Sequence, residues 1–300
     1  MSLFKRVARR LAAFGALAAT ACAGAPAAEP NVARPALWKV ADQDTTIYLF
    51  GTIHLLPPKT QWRSPVFDQA AAGADTLVIE TIIDDKNPQA TLGELFKLAV
   101  SPNLPPLAER VKPASRDALA KAIKESGLPS PVFDKLETWA AAFMLLGGQF
   151  KALGLEPSSG VETVLKAQFA DGGKTIGQLE TNAEQFAVFD TLSEAAQRKF
   201  LDGVLEDPSA MKGQFDVMLK AWARGDVAGV AKSFNDAEND SPEMLEALIA
   251  RRNANWSRWV KARLDRPGTV MVAVGAGHLA GDKSVVSLLQ KQGVTVTRVQ

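Results

Sequence analysis

The sequence predicts a mixed α/β domain in which a central β-sheet carries a large helical insertion. Short apolar segments typical of buried strands lie near both ends of the chain, and a long stretch between them has helical spacing. Two Gly-x-x-His motifs each stand at the carboxyl end of a predicted strand. The 300 residues are 47% hydrophobic and 22% charged, a composition typical of globular proteins. We place this single domain at residues 37–300.

The amino-terminal segment has the layout of an export signal. Basic residues within 5–10 precede an apolar stretch and then a run of small residues. We therefore predict a signal peptide at residues 1–23, followed by an Ala/Pro-rich tether at 24–36. The apolar stretch is shorter than the roughly 20 residues that a membrane span needs, which favours cleavage over a permanent membrane anchor. The expected location is periplasmic or secreted.

Cys22 is the only cysteine and lies within the predicted signal. It fits a small-x-small cleavage site, which is the route that we favour. Alternatively, Cys22 becomes the first residue of a lipoprotein and carries a lipid anchor. Because the domain itself has no cysteine, no disulfide stabilises it.

Local signals place the first elements of the domain. Residues 37–40 and 45–50 predict a β-hairpin around a polar turn. Ser64 is expected to cap a helix that runs through Ala72. Residues 76–80 then form a predicted buried strand that ends on a carboxylate.

The remainder of the chain is mostly helical until its last forty residues. The apolar run 139–146 predicts a buried helix, and Trp256 with Trp259 predicts a helix face packed into the core. The other predicted elements are helices over 89–170 with a helix start at 159–162, a strand at 174–179, helices over 184–264, and a final strand, helix and strand at 269–274, 284–292 and 294–299.

Both histidines of the chain, His54 and His278, have a glycine three residues earlier. Glycine allows close backbone approach where a strand leaves the sheet, and open α/β sheets bind ligands beyond the carboxyl ends of their strands. Glu80 ends an apolar strand, where an ionised carboxylate needs a partner. We therefore predict a divalent-metal site formed by His54, Glu80 and His278. The alternative is that the histidines are structural and that Glu80 forms a salt bridge at the sheet edge.

Several short motifs are spread over nearly the whole domain, at 37–38, 48–54, 78–80, 160–162, 174–180 with 185, 252–253 with 256, 275–279 with 281, and 293–296. Together, and in this order, they resemble the TraB/PrgY/GumN family, whose animal relatives are the Tiki proteases. The resemblance implies a shared α/β fold and, for the Tiki branch, metal-dependent proteolysis with manganese or cobalt; zinc also suits the ligand types. Glu162 departs from the family pattern, in which Asp is common, and we give it no catalytic role.

Carried onto this chain, the resemblance makes His54, Glu80 and His278 the metal ligands. Two imidazoles and one carboxylate leave coordination positions open, as a catalytic metal site requires. Glu180, which ends the strand predicted at 174–179, is the expected general base, and Arg252 is expected to stabilise an oxyanion. The expected function is hydrolysis of a peptide or small molecule by a metal-dependent enzyme of the cell envelope.

Two other classes of function stay open at this point. One is a non-catalytic envelope protein that binds a metal, haem or another small ligand. The other is a metal-free, esterase-like hydrolase in which a histidine is the general base. The net charge of +1 and the lack of a basic stripe argue against nucleic-acid binding. The sequence also has no Gly-x-x-x-x-Gly-Lys-Ser/Thr loop, Gly-x-Ser-x-Gly elbow or His-Glu-x-x-His helix.

Overall fold

The centre of the fold is a mixed β-sheet. A computed structural model describes residues 33–83, 88–101, 103–238 and 241–300. The strands within these residues are β1 (Leu37–Ala41), β2 (Thr45–Thr52), β3 (Thr76–Ile79), β4 (Thr175–Gln178), β5 (Gly268–Gly275) and β6 (Val296–Arg298). They lie in one sheet in the order β4-β3-β5-β2-β1-β6. The strands β4, β3, β5 and β2 are parallel, whereas β1 is antiparallel to both of its neighbours. The predicted mixed α/β class and its hairpin are therefore confirmed.

Helices fill the connections between the parallel strands. Those between β3 and β4, and those between β4 and β5, form two helical insertions. The helices are α1 (Pro65–Gly73), α2 (Pro88–Ala99), α3 (Leu107–Arg110), α4 (Arg116–Ser126), α5 (Ser130–Asp134), α6 (Thr138–Ala152), α7 (Val161–Asp171), α8 (Asn182–Asp190), α9 (Glu194–Val204), α10 (Pro208–Ala223), α11 (Val227–Glu238), α12 (Pro242–Leu245), α13 (Arg251–Arg263) and α14 (Val285–Lys291). A π-helical turn at Glu246–Ala250 joins α12 to α13.

The sheet is covered on both faces, which explains the continuous apolar runs of its central strands. Along β2, Phe50 packs on one face, whereas Ile47 and Leu49 pack on the other. The first face is covered by α1, α7, α10 and α11, and the second by α13 and α14. Trp256 contributes to the second face and is 2% exposed, as its spacing with Trp259 predicts.

Helices of both insertions share a core that is separate from the two sheet faces. Helices α3 to α6 and α9 bury a separate apolar cluster around Trp139. The predicted buried helix at 139–146 lies within α6, although Phe143 and Met144 on its outer side are each 39% exposed. Among the described residues, every helix falls short of the length or apolarity that crossing a bilayer demands.

The predicted signal peptide at 1–23, with Cys22, lies outside the described residues. The tether predicted at 24–36 is described from Ala33 onward. Both Ala33 and Ala36 are buried, and the Arg34 backbone N–H donates to the Ala223 carbonyl at 2.7 Å. These last tether residues therefore pack against the domain.

Two predicted helix starts are observed, and one of them fixes the loop that follows β2. Ser64 caps α1 by accepting a hydrogen bond from the Phe67 backbone N–H at 3.1 Å. At the start of α7, the Val161 N–H donates to the Ile53 carbonyl at 3.1 Å. A Cβ atom at Gly160 would overlap the carbonyl oxygen of His54. Glycine at this position therefore permits the close approach of α7 to the loop after β2 that contains Ile53 and His54.

We predict that Gly160→Ala destabilises the protein by roughly 1–3 kcal/mol, because backbone must move to relieve the overlap. The matched control is Gly203→Ala in α9, where an added Cβ meets nothing within 4 Å. That change is expected to raise stability by about 0.5–1 kcal/mol, since alanine favours the helix. Urea unfolding of both variants measures the difference. Equal midpoints for Gly160→Ala and the wild type would contradict the prediction.

Candidate active site

Three parallel strands bring the motif residues to one edge of the sheet. The ends of β2 and β5 are paired, with Thr52 opposite Gly275, and β3 lies on the other side of β5. His54 follows β2, Glu80 follows β3, and His278 follows β5 in a 3-10 turn at Ala276–Leu279. Glu80 Oε1 lies 3.9 Å from His54 Nε2 and 3.8 Å from His278 Nε2. The structure therefore brings the three predicted ligands together around one carboxylate oxygen.

Close backbone approach, rather than unusual dihedral angles, explains the glycines of the two motifs. A Cβ atom at Gly51 would lie 3.1 Å from the Cα of Ala276, in the other motif. A Cβ atom at Gly275 would lie 3.2 Å from Glu80 Oε1 and 3.3 Å from His54 Nε2. A larger residue at Gly275 would thus fill the space that the three side chains share.

The carboxylate of Glu80 is buried and fully paired. Its side chain is 8% exposed; Oε1 accepts from the Gly275 N–H at 2.7 Å, and Oε2 accepts from Arg252 Nη2 at 2.6 Å. Burial alone would raise the pKa of Glu80. The facing imidazoles of His278 and His54, together with Arg252 and the Gly275 N–H, outweigh burial and lower the pKa to about 2. Glu80 is therefore ionised at every physiological pH.

His278 is a buried, neutral imidazole with a defined tautomer. Arg252 is only a donor, so the contact of 3.1 Å between Arg252 Nη1 and His278 Nε2 requires a lone pair on that nitrogen. The proton is then on Nδ1, which donates to Asn253 Oδ1 at 2.7 Å. The Asn253 amide is oriented in turn because its Nδ2 donates to the Lys283 carbonyl at 2.8 Å. Burial is the main cause that lowers the pKa of His278 to about 3, and the nearby Arg252 adds to it.

His54 has the opposite environment, because its side chain is 62% exposed and faces a carboxylate. Its Nδ1 lies 2.6 Å from Glu162 Oε1, and the Thr52 hydroxyl donates to the same oxygen. The negative charge of Glu162 is the main cause that raises the pKa of His54, to about 9. With these pKa values, His54 is protonated at neutral pH, whereas His278 is neutral.

Glu162 and Asn253 are site residues that the sequence analysis did not identify. We gave Glu162 no catalytic role, yet it orients His54 through Nδ1, as Asn253 orients His278. Glu162 lies in the family-like segment 160–162 and Asn253 follows Arg252 in another, but neither position indicates a contact with a histidine. Among the described residues, the second oxygen of Glu162 is buried without a hydrogen-bond partner.

Arg252 and Glu180 form an ion pair beside the three predicted ligands. Arg252 Nη2 and Nε donate to the two oxygens of Glu180 at 2.5 and 3.1 Å, a bidentate arrangement. Gln185 Nε2 donates to Glu180 Oε1 at 3.2 Å, and the guanidinium stacks on Trp256, 4.6 Å from the ring centroid. Burial raises the pKa of Glu180, although the Arg252 contacts oppose this. The structure thus brings both residues predicted as catalytic into the same cluster.

The donor set suits a divalent metal, but a guanidinium stands among the donors. Both histidines use Nδ1 to bind an orienting side chain and direct Nε2 towards Glu80, which is the usual arrangement of metal-ligating histidines. Arg252 contacts both Glu80 and His278 Nε2. In this arrangement, the described part of the chain contains no group of three His, Cys, Asp or Glu side chains spaced to hold a metal ion.

A groove of about 270 Å³ lies beside the cluster, between α8 and the beginning of α13. Glu180, Arg252 and Trp256 line it next to the predicted ligands, and Ala187 and Ala247 line its apolar walls. The groove therefore offers space next to the Arg252 side chain.

Comparison with known proteins places the chain among relatives of low identity. It is 24% identical over 218 residues to the Uncharacterized protein YbaP of Escherichia coli (strain K12), a match that covers 72% of this chain and 77% of that protein. It is 25% identical over 152 residues to the Metalloprotease TIKI homolog of Amphimedon queenslandica. This second match covers 42% of the chain and only 30% of that protein. No solved structure matches the chain.

A family model gives the broader result, because it matches residues 36–298 and so extends over nearly all of the predicted domain. The matched region includes every strand of the sheet and all the residues of the cluster around Glu80. The chain belongs to the TraB/PrgY/gumN family.

Proposed function

We propose that this protein is a divalent-metal-dependent hydrolase with His54, Glu80 and His278 as metal ligands. The observation that carries the proposal is the convergence of both Nε2 atoms on Glu80 Oε1, at 3.9 and 3.8 Å. Two ligands on one zinc ion, at about 2.0–2.1 Å each, lie roughly 3.3 Å apart in tetrahedral geometry. A movement of roughly 0.5 Å would bring each Nε2 atom to this distance from Glu80 Oε1. Arg252, which contacts both Glu80 and His278, would have to move as well.

The relative from Amphimedon queenslandica is named a metalloprotease, which supports amide hydrolysis as the reaction. The match to that protein is partial, so its activity is a hypothesis for this chain. Manganese and cobalt are the metals that we propose, with zinc as a third candidate. When bound, such a metal supplies Lewis acidity for attack on an amide or ester carbonyl.

Four other residues of the site would position the ligands, accept a proton and stabilise an oxyanion. Glu162 and Asn253 position the two imidazoles by occupying their Nδ1 atoms. Glu180 is the proposed general base, and the pKa of its carboxyl is raised by burial. Both of its oxygens bind Arg252, so Glu180 accepts a proton only when one of these contacts opens. Arg252 is the proposed donor to a developing oxyanion.

The proposed function predicts loss of both metal and activity when a ligand is replaced. Loss of a residue that orients a metal ligand typically lowers metal affinity by roughly 10–100-fold. His54→Ala, His278→Ala and Glu80→Gln each remove a ligand itself and should lower the affinity by more than this. Glu94→Gln, which removes an exposed carboxylate paired with Lys97, is the control and should keep full metal content. Elemental analysis measures the metal. Activity is measured as cleavage of a mixed peptide library, with the products identified by mass spectrometry. The reaction is run in EDTA and again after addition of Mn²⁺ or Co²⁺. Cleavage that persists in EDTA would contradict the proposal.

The charge of His54 predicts how metal binding depends on pH. The ordinary imidazole pKa of about 6.5 would put competition by protons below roughly pH 6, but Glu162 raises the pKa of His54 to about 9. A metal must displace this proton, so Mn²⁺ affinity should rise up to about tenfold per pH unit between pH 7 and about 9. Calorimetric titrations in buffers of different ionisation enthalpy should show release of about one proton.

Glu162→Gln is the matched variant for this pH experiment, because it keeps the shape of the side chain and removes its charge. The pKa of His54 should then fall towards its ordinary value. The rise of affinity with pH should level off near pH 7 instead of pH 9. A wild-type affinity that stays constant between pH 7 and 9 would show that His54 does not bind the metal.

We also propose that the protein acts in the cell envelope after export. The basic, apolar and small-residue segments within residues 1–23 support this proposal. Expression of the full chain should yield a periplasmic product whose amino terminus lies near residue 24, as N-terminal sequencing would measure. A blocked, lipid-modified Cys22 would instead establish lipoprotein processing. Recovery of the intact chain from the cytoplasm would refute export.

A metal-free hydrolase is the second candidate function, and the exposed His54–Glu162 pair favours it. A carboxylate on one imidazole nitrogen leaves the other free to exchange protons with a substrate. With a pKa of about 9, His54 would be a general acid at neutral pH and a general base only in alkaline solution. The EDTA arm of the cleavage assay separates this candidate from the metal-dependent one.

A further inference from the structure

Arg252 and a divalent metal would use the same lone pair of His278. Because Nδ1 of His278 donates to Asn253, the lone pair of the ring is on Nε2, and Arg252 Nη1 lies 3.1 Å from it. A metal bound to that nitrogen would stand about 2.0–2.1 Å away, taking the zinc distance. The gap between the two nitrogens is too small to hold both the metal and the Arg252 N–H.

Arg252 also supplies the positive charge that Glu80 requires. The Glu80 side chain is 8% exposed, and a buried carboxylate without a positive partner is strongly destabilising. Arg252 Nη2 meets this need at 2.6 Å from Oε2. A metal at Glu80 would meet the same need, so the two cations are electrostatic substitutes for each other.

Arg252 has a second attachment that does not involve the predicted metal ligands. Its Nε donates to Glu180 Oε2 at 3.1 Å, and its guanidinium stacks on Trp256. The groove between α8 and α13 lies beside these contacts and is partly lined by Arg252 itself. The guanidinium can therefore leave His278 without losing its pairing with Glu180 and without entering a packed core.

We infer that Arg252 is the resident cation of the metal-free site, and that a divalent metal binds by displacing the guanidinium from His278 and Glu80. The inference rests on the metal ligands of the proposed function. Arg252 stays paired with Glu180 and moves towards the groove. A displacement of this kind lowers the measured metal affinity, because part of the binding free energy is used to separate Arg252 from its partners. It also leaves a guanidinium next to the loaded site, where it can face a substrate carbonyl.

The test measures Mn²⁺ affinity from the electron paramagnetic resonance signal of free Mn²⁺, and so does not depend on activity. Arg252→Met removes the competing cation and should tighten Mn²⁺ binding by at least about tenfold. Because this variant leaves two buried carboxylates unpaired, the double variant Glu180→Gln/Arg252→Met keeps the net charge and protects folding. Arg251→Met is the control, since Arg251 is the exposed neighbour of Arg252. Its affinity should remain within about twofold of the wild type. Thermal melting verifies that each variant is folded.

Each outcome decides between the inference and the proposed function. Tighter Mn²⁺ binding by the Arg252 variants than by the wild type supports the inference. This holds even if the wild type binds no Mn²⁺, although that result would count against a metal-dependent function. If the wild type binds Mn²⁺ and the folded Arg252 variants bind it equally well or more weakly, the inference is wrong. The assignment of the metal ligands is then unaffected. If no variant binds Mn²⁺, both proposals fail.

Discussion

The buried carboxylate of Glu80 is the constraint around which the site is organised. It stands at the end of a central strand, where solvent cannot stabilise its charge, so neighbouring groups must do so. The Gly275 N–H and Arg252 meet this requirement directly. Parallel pairing of β5 with both β2 and β3 then places a histidine loop on each side of the same oxygen. The geometry of the site thus follows from the sheet order.

The two Gly-x-x-His motifs are alike in sequence and unlike in environment. His54 is exposed and contacts a carboxylate, which favours its protonated form, whereas His278 is buried between an amide and a guanidinium, which favours its neutral form. One site therefore holds a charged and a neutral imidazole at the same pH. The exposed imidazole carries a proton that can exchange with solvent, whereas the buried imidazole presents a lone pair on Nε2.

Arg252 connects the sheet edge with the second helical insertion. It belongs to α13, and its partner Glu180 lies between β4 and α8, so their ion pair joins both ends of that insertion. The pairing of β3 with β4 brings Glu180 beside Glu80, whose backbone carbonyl accepts the Glu180 N–H at 3.0 Å. One guanidinium thus pairs with the carboxylates at two neighbouring strand ends. The first insertion packs with α9 of the second insertion around Trp139, in a core that contains no strand residue.

The sequence by itself determined the elements that depend on local pattern. Apolar runs, turn residues and caps predicted the hairpin, the strands β3 to β6, and the start of α1 at Ser64, because these signals act over a few residues. The same logic placed His54, Glu80 and His278 at strand ends. Only the tertiary structure decided which side chains orient them. Glu162 contacts His54 from α7, which lies more than 100 residues later in the sequence. The contact of Arg252 with His278 depends on how α13 packs against the sheet. Polar residues on helices look alike in sequence whether they face solvent or a partner, because long-range contacts leave no local periodicity.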